Sequence, residues 1–497
     1  MLGRVKALWS DRRGNVAVIF ALALIPITLL CGGAVDFNQA MNARTRLAQA
    51  LDAAALAVGA ELGASPDQAT QMATDYINAN YPAREIGVVQ NIVVTLDDDA
   101  DRVLVSGEAR VATAFLGLMG IDHLNVGWTS EVARARQNLE LVMVLDNTGS
   151  MGGSKIASLR DSAELLTEIL FETADEPDSV RIGLVPFAAT VNVGTQYERV
   201  WWMDPDARSP VHADWADNTP LEGAVNHWDL FDELRWDDWW GCVESRAIPH
   251  DIEDTPANNG APETLFVPYF APDEPDNDND YANDYLNDET SGNSRTRITN
   301  LDKYDGANPS GSRVNYACTT TPILPLTNDE GDVLDAIDDM GASGTTNIPQ
   351  GIGWGVRVIS PDAPFTEGVS YEDRDFIKAM VILTDGQNVL TGRRTDFRSD
   401  YSAYGFSRNG RLGTTSRSSS TLANRLNGRT TAACDYAKEQ GIRVYTITFQ
   451  VSSSSTRQLM EDCATNSTLY FDSPSEAALR DAFEMIAGDL SSLRLSR

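Results

Sequence analysis

The sequence predicts an α/β protein: a doubly wound, mostly parallel sheet with a large insertion, preceded by a transmembrane helix and a small α+β unit. Three observations carry that reading. An uncharged run, NVAVIFALALIPITLLCGGAV, extends from Asn15 to Val35. From residue 138 onward, short and near-continuous apolar runs alternate with helical segments. One stretch, 196–325, breaks the alternation.

The uncharged run matches the roughly 20 residues needed to cross a bilayer. Arg4, Lys6, Arg12 and Arg13 precede it and Asp36 follows. Cationic flanks stay in the cytoplasm. Residues 1–14 are therefore expected inside, 15–36 in the membrane and the bulk of the chain outside. A cleaved signal peptide would carry a shorter apolar region of about 7–15 residues. The Cys31-Gly32-Gly33-Ala34 sequence imitates its cleavage site, but the length favours an uncleaved anchor.

Residues 37–137 read as a second unit. In FNQAMNARTRLAQALDAAALAVGAEL, apolar residues recur at Phe37, Met41, Ala48, Leu51, Ala55 and Val58, with no Gly or Pro before Gly59. That is helical spacing, so the membrane helix is expected to continue outward. NIVVTLDD and DRVLVSGEARV alternate and form a hairpin through an Asp-rich turn at 97–101. TAFLGLMGIDHL predicts a short helix, and NVGWTSEVARA a further strand. A long membrane helix packed on a small antiparallel sheet resembles the plan of pilin-like proteins; a coiled coil or plain spacer is the alternative use of such a helix.

Residues 138–497 carry the doubly wound domain. VMVL, IGLVPF, AMVILT and VYTITF lack polar alternation, as strands buried on both faces do. KIASLRDSAELLTEILF, NIPQGIGWGVRVI, TAACDYAKEQ and SEAALRDAFEMIAGDLSSL supply helices between and after them. Seven of the ten tryptophans fall between positions 201 and 240. A structureless loop as long as 196–325 is improbable in a compact domain, so the tryptophans predict a packed insertion with its own small core. The Asp-rich run 273–289 lacks the complete EF-hand pattern and is read as a solvated loop.

Charge and cysteines narrow the function. Of 497 residues, 42% are apolar and 22% charged, yet the net charge is −33. Such acidity disfavours nucleic acid as a partner and favours divalent cations. Cys31 lies in the span, whereas Cys242, Cys318, Cys434 and Cys463 would lie where disulfides persist. No CxxC spacing points to zinc. The simplest pairing is Cys242–Cys318 and Cys434–Cys463.

The chemistry-bearing motif is LELVMVLDNTGSMGGSKI. Asp146 ends an apolar strand, and Thr148 and Ser150 follow at alternate positions among glycines. In an open parallel sheet, ligands bind at the carboxyl ends of strands. Asp385, in MVILTDGQN, stands at a second such end. SGTTNIPQGI offers Thr346, with Thr345 as second choice, before a helix. Two carboxylates and three hydroxyls suit a hard divalent ion: Mg²⁺ first, with Ca²⁺ and Mn²⁺ as alternatives. Neutral ligands leave much of the ion's charge uncompensated, so a carboxylate from another protein could complete its shell. The alternative is that these residues only make a turn and cap a helix.

Enzymatic readings fit less well. A phosphatase of the haloacid-dehalogenase type needs a second Asp where Thr148 stands. A phosphate loop needs Gly-Lys-Ser/Thr, and Gly153 is followed by Ser154-Lys155-Ile156. His123, His212, His227 and His250 show no metal-ligand spacing and are read as structural. The expectation is a binding protein, not an enzyme.

Asp-x-Thr-x-Ser with a distal Thr and Asp resembles the metal-ion-dependent adhesion site of von Willebrand factor type A domains, with Thr148 in place of the usual Ser. RRGNVAVIFALALIPI, TLFVPYFAPDEPD, TTNIPQGIGWGVRVISP and ILTDGQN together resemble TadG-like proteins of tight-adherence (Flp) pilus assembly. The resemblance implies a bacterial inner-membrane anchor with the A domain in the periplasm. It also implies metal-dependent contact with an acidic residue of the pilus machinery. An exported surface adhesin for a host or matrix ligand is the alternative. Related pseudopilins carry Glu five residues after the processing Gly; here Ile19 follows Gly14 at that distance, which argues against prepilin-peptidase cleavage.

Overall fold

A computed structural model describes residues 15–494 except 61–64, 82–86, 98–101, 134–136, 175, 217–224, 277–279, 289 and 310–312. The basic N-terminus and most of the Asp-rich turn at 97–101 therefore lie outside the described residues. The chain divides into two compact units, Met1–Arg136 with Leu495–Arg497, and Gln137–Arg494.

In the first unit, α1 (Asn15–Ala60) is one helix of 46 residues with Pro26 inside it. Its first half exposes Val18, Ile19, Phe20, Leu22 and Leu30, while Leu47, Leu51, Ala54 and Val58 further along are buried. It is the single helix among the described residues long and apolar enough to cross a membrane. α2 (Pro66–Asn80) follows, an element the sequence analysis did not include. Its signal was local: Ser65 and Gln68 form a reciprocal capping box, with Pro66 in the first turn. β1 (Val88–Asp97), β2 (Arg102–Ala112) and β3 (His123–Ala133) make an antiparallel sheet in that order. Alternate residues Val103, Val105, Ala109 and Val111 of β2 are buried in a core shared with α1 and α2. TAFLGLMGIDHL does not form the expected helix. It turns between β2 and β3, with only Leu116–Met119 in a 3-10 turn.

The second unit is built on a mixed sheet. β4 (Asn138–Asp146) is followed by α3 (Ser154–Glu172) and β5 (Val180–Phe187). Short pieces follow: β6 (Val191–Asn192), α4 (His227–Glu233), β7 (Cys242–Val243) and α5 (Ser294–Ile298). β8 (Leu324–Thr327), α6 (Glu330–Asp338), α7 (Ile348–Ile359) and β9 (Phe376–Thr384) come next. The chain ends through α8 (Ser419–Glu439), β10 (Arg443–Phe449), α9 (Ser454–Cys463), β11 (Tyr470–Ser473) and α10 (Glu476–Arg494).

The strand order is β11-β10-β9-β4-β5, all parallel, then antiparallel β6 and β7, with β8 antiparallel beside β5. From β4 the chain first builds toward β5 and then returns to place β9 on the other side. The order thus reverses at β4, where open sheets leave a crevice at the strands' carboxyl ends.

Strand alternation separates two cores. Leu139, Leu141, Met143 and Leu145 of β4 face α3, α6 and α10. Val142 and Val144 face α7, α8 and α9. α7 is buried along its whole length. A Cβ at Gly355 would stand 2.6 Å from Val144 and one at Gly351 2.7 Å from the Phe187 ring, so glycine sets how closely α7 lies on the sheet.

The insertion differs from expectation in two respects. Trp202, Trp215, Trp228 and Trp239 are buried, but they join the core of the α7 face instead of forming their own. Phe266 links the two, its ring 5.5 Å from Trp202 and 4.9 Å from Trp354 of α7. The Asp-rich run is not solvated throughout either. Asp273, Glu274 and Asp288 are buried, and Lys303 pairs with Asp273 at 2.7 Å. Burial is tolerated because the cation and backbone amides satisfy the carboxylates. Disulfides join Cys242 to Cys318 and Cys434 to Cys463, the pairing read from the sequence; Cys31 is free.

Candidate functional site

Asp146 ends β4 and Asp385 directly follows β9, so adjacent parallel strands deliver both carboxylates to the reversal point. Asp146 is fully buried. Its Oδ1 accepts from the Thr148 amide at 2.9 Å, and its Oδ2 accepts from the Thr384 hydroxyl at 2.7 Å. The Thr148 and Ser150 hydroxyls lie 3.0 Å apart. Ser150 then donates to Asp385 Oδ1 at 2.6 Å, while Lys155 pairs with Asp385 Oδ2 at 2.7 Å.

The segment before α7 closes the site. Gly149 N–H donates to Gly344 O, and Ser343 N–H donates to Asn147 O. Asn347 N–H reaches Ala188 O after β5, and Val389 N–H reaches Thr346 O after β9. Loops after β4, β5 and β9 are thereby tied to one segment, 341–347. Thr346 lies in it and is buried, whereas Thr345 is exposed. Among the described residues no hydrogen bond joins the Thr346 hydroxyl to the network. The structure thus brings Asp146, Thr148, Ser150 and Asp385 into one hydrogen-bonded group and leaves Thr346 beside it.

The group is short of positive charge. Burial pushes the Asp146 carboxyl up to about 6, and the negative charge of Asp385 pushes the same way; hydrogen bonds from Thr148 and Thr384 oppose both. Lys155 compensates Asp385, but among the described residues no cation pairs with Asp146. No group of three or more His, Cys, Asp or Glu is placed to hold a metal ion among the described residues, and the acidic donors here are these two carboxylates. Two carboxylates with interleaved hydroxyls are a donor set that hard divalent ions accept.

Two residues of this network were not singled out from the sequence. Thr384 orients Asp146 from the neighbouring strand; its signal was its place just before Asp385. Lys155, noted only as breaking a phosphate-loop pattern, sits at the start of α3 with its ammonium over the Phe449 ring at 5.9 Å. The histidines take structural places. His212 Nδ1 lies 2.7 Å from Asp204, and its Nε2 accepts from the His227 amide at 2.9 Å. His227 accepts from Trp215 Nε1 at 3.1 Å and donates from Nδ1 to Pro268 O at 2.9 Å. His123 lies 3.1 Å from Arg110, and His250 lies 3.4 Å from Glu253.

Solved structures similar to this chain include the pilus adhesin SpaC of Lactobacillus rhamnosus GG, at 11% identity and TM-score 0.33, covering 81% of this chain and 34% of that one. The chain thus spans about a third of SpaC. The vWF domain of the type V pili tip protein Mfa5 of Porphyromonas gingivalis matches at 10% identity and TM-score 0.35, covering 73% and 97%. The PilB minor pilin of Streptococcus sanguinis matches at 12% identity and TM-score 0.32, covering 82% and 79%. No curated protein matches the chain. Residues 14–61, which include all of α1, match the family described as putative Flp pilus-assembly TadE/G-like, and the chain carries that family's segment at its N-terminus.

Proposed function

We propose that this protein is a membrane-anchored component of Flp-type pilus assembly that binds a partner protein through a divalent cation. In this reading residues 15–36 span the bacterial inner membrane, 1–14 are cytoplasmic and the rest is periplasmic. Residues 37–137 form a pilin-like unit. Residues 138–497 form a doubly wound von Willebrand factor A domain with 196–325 inserted. The activity is binding, without a catalytic step.

The observation that carries the reading is the link from Ser150 to Asp385. It draws the loop after β4 onto the end of β9 and gathers two buried carboxylates and two hydroxyls at the sheet's reversal point. Asp146, Thr148, Ser150 and Asp385 would hold the ion, with Thr346 adjacent. Bound there, a cation such as Mg²⁺ would supply an incompletely neutralised charge for an acidic residue of the partner. Thr384 keeps Asp146 oriented, and Lys155 pairs with Asp385, the carboxylate it would share with the ion.

The test is isothermal titration of the full-length protein in detergent with Mg²⁺, Ca²⁺ and Mn²⁺, followed by crosslinked pull-down from membranes with Mg²⁺ or chelator. The expected outcome is uptake of one ion per chain and loss of a pilus-assembly partner on chelation. Absence of uptake, or an unchanged partner set, would overturn the proposal.

A further inference from the structure

The turn between β2 and β3 exposes an unusual set of side chains. Leu118 is 79% exposed, Met119 59%, Ile121 45% and Phe115 40%. Contiguous apolar groups displayed on a short loop mark a surface that something covers. The position of the loop identifies what.

Three amides, those of Ala114, Phe115 and Leu116, donate to the Asp36 carboxylate at 3.0, 2.9 and 2.7 Å. Phe115 and Leu116 lie against Gly32 and Gly33 of α1; a Cβ at Gly32 would fall 2.3 Å from the Phe115 ring. The loop is thus fastened to α1 at residues 32–36, where the uncharged run ends. From Asn15 to Val35 that run is about 31 Å long at ~1.5 Å per residue. The hydrocarbon core is about 30 Å thick. Spanning it uses the whole run, which brings Gly32 to Val35 to the boundary between acyl chains and headgroups.

Asp36 would ordinarily resist that depth. Here it is 2% exposed, with both oxygens occupied by the loop's own amides. The loop therefore satisfies Asp36, and residues 115–121 carry only apolar side chains and glycines; the exposed Asp122 follows directly and bounds the apolar segment. The remainder of the sheet leads away, since Gly59 lies against Val132 near the far end of β3.

We infer that residues 115–121 form a second membrane contact, inserting Phe115, Leu118, Met119 and Ile121 into the interfacial layer of the leaflet from which α1 emerges. The inference rests on the reading of α1 as a membrane anchor. It makes the anchor a two-point attachment that fixes the tilt and rotation of the first unit, which a single helix would leave free.

The test uses full-length protein in lipid nanodiscs, on a Cys31→Ser background, with a polarity-sensitive fluorophore at Leu118→Cys or Met119→Cys. Leu24→Cys in α1 and Thr129→Cys on β3 serve as membrane and solvent controls. Blue-shifted emission at 118 and 119, quenched by doxyl lipids and resistant to iodide, is the expected result. Quenching by iodide alone at 118 and 119, with lipid quenching at Leu24→Cys, would overturn the loop contact and leave the anchor intact. Resistance to both quenchers at 118 and 119 would mean that protein covers the loop, and would also overturn it. Absence of lipid quenching at Leu24→Cys would remove the anchor and the inference together.

Discussion

Ser150 donates a 2.6 Å hydrogen bond to Asp385, although 235 residues separate them in sequence. The pair completes a chain of hydrogen bonds at the carboxyl ends of β4 and β9, with Lys155 on the other oxygen of Asp385. Its ammonium, 2.7 Å from Asp385 Oδ2, would repel a cation held by that carboxylate.

Lys155→Met should therefore tighten divalent binding by at least about fivefold. A unit charge about 4 Å away is worth on the order of 1–4 kcal/mol, depending on the local dielectric. Asp146→Asn and Ser150→Ala should weaken the same binding. Calorimetric titration checks all three variants, and an unchanged or weaker affinity in Lys155→Met would discard the idea that the lysine competes with the ion.

Lys378 pairs with Glu140 in the sheet, both buried, and Glu140 also accepts from the Val369 amide at 2.9 Å. Removing only the cation leaves a charge without its main partner, so Lys378→Met should cost about 3–5 kcal/mol. Adding Glu140→Gln, which keeps an acceptor for Val369, should restore most of that. Urea unfolding followed by tryptophan fluorescence gives both values. Equal stabilities for the single and double variants would contradict the argument.

The two disulfides close loops of different size, with sequence separations of 76 and 29 residues. On loop entropy alone, replacing Cys242 and Cys318 by Ser should cost about 1 kcal/mol more than replacing Cys434 and Cys463. Denaturation midpoints of the two double variants measure the difference. A larger loss from the shorter loop would show that local packing outweighs chain entropy.

His227 is held neutral: burial is the main cause, the neighbouring His212 adds to it, and its proton acceptance falls well below the ordinary histidine range. Unfolded, the ring takes up a proton below about pH 6.5. The stability that His227 contributes is therefore present above that pH and lost as pH falls through it, by up to about 1.4 kcal/mol per pH unit. His227→Gln can keep a contact to Trp215 or Pro268 without titrating. Wild type should lose stability relative to this variant between pH 7 and pH 5; parallel profiles in chemical denaturation would show that His227 does not titrate on unfolding.

The sequence by itself determined the elements whose burial is uniform and whose ends are chemically marked. VMVL, AMVILT and VYTITF had to be strands covered on both faces, and Asp146 and Asp385 had to stand at the ends of two of them. The uncharged run before Asp36 was equally legible, because membrane-crossing length is a one-dimensional property. What only the tertiary structure decided depends on contacts between distant segments. The reversal of strand order at β4 puts Asp385 beside Ser150, and pairing across β9 gives Thr384 to Asp146. The insertion's tryptophans join the α7 core through Phe266, whose ring packs on both Trp202 and Trp354. TAFLGLMGIDHL reads as helix by its apolar spacing, yet Asp36, nearly eighty residues earlier, takes its amides and holds it as a turn. Local propensity amounts to tenths of a kcal/mol per residue, and a charged acceptor shared by three amides outweighs it.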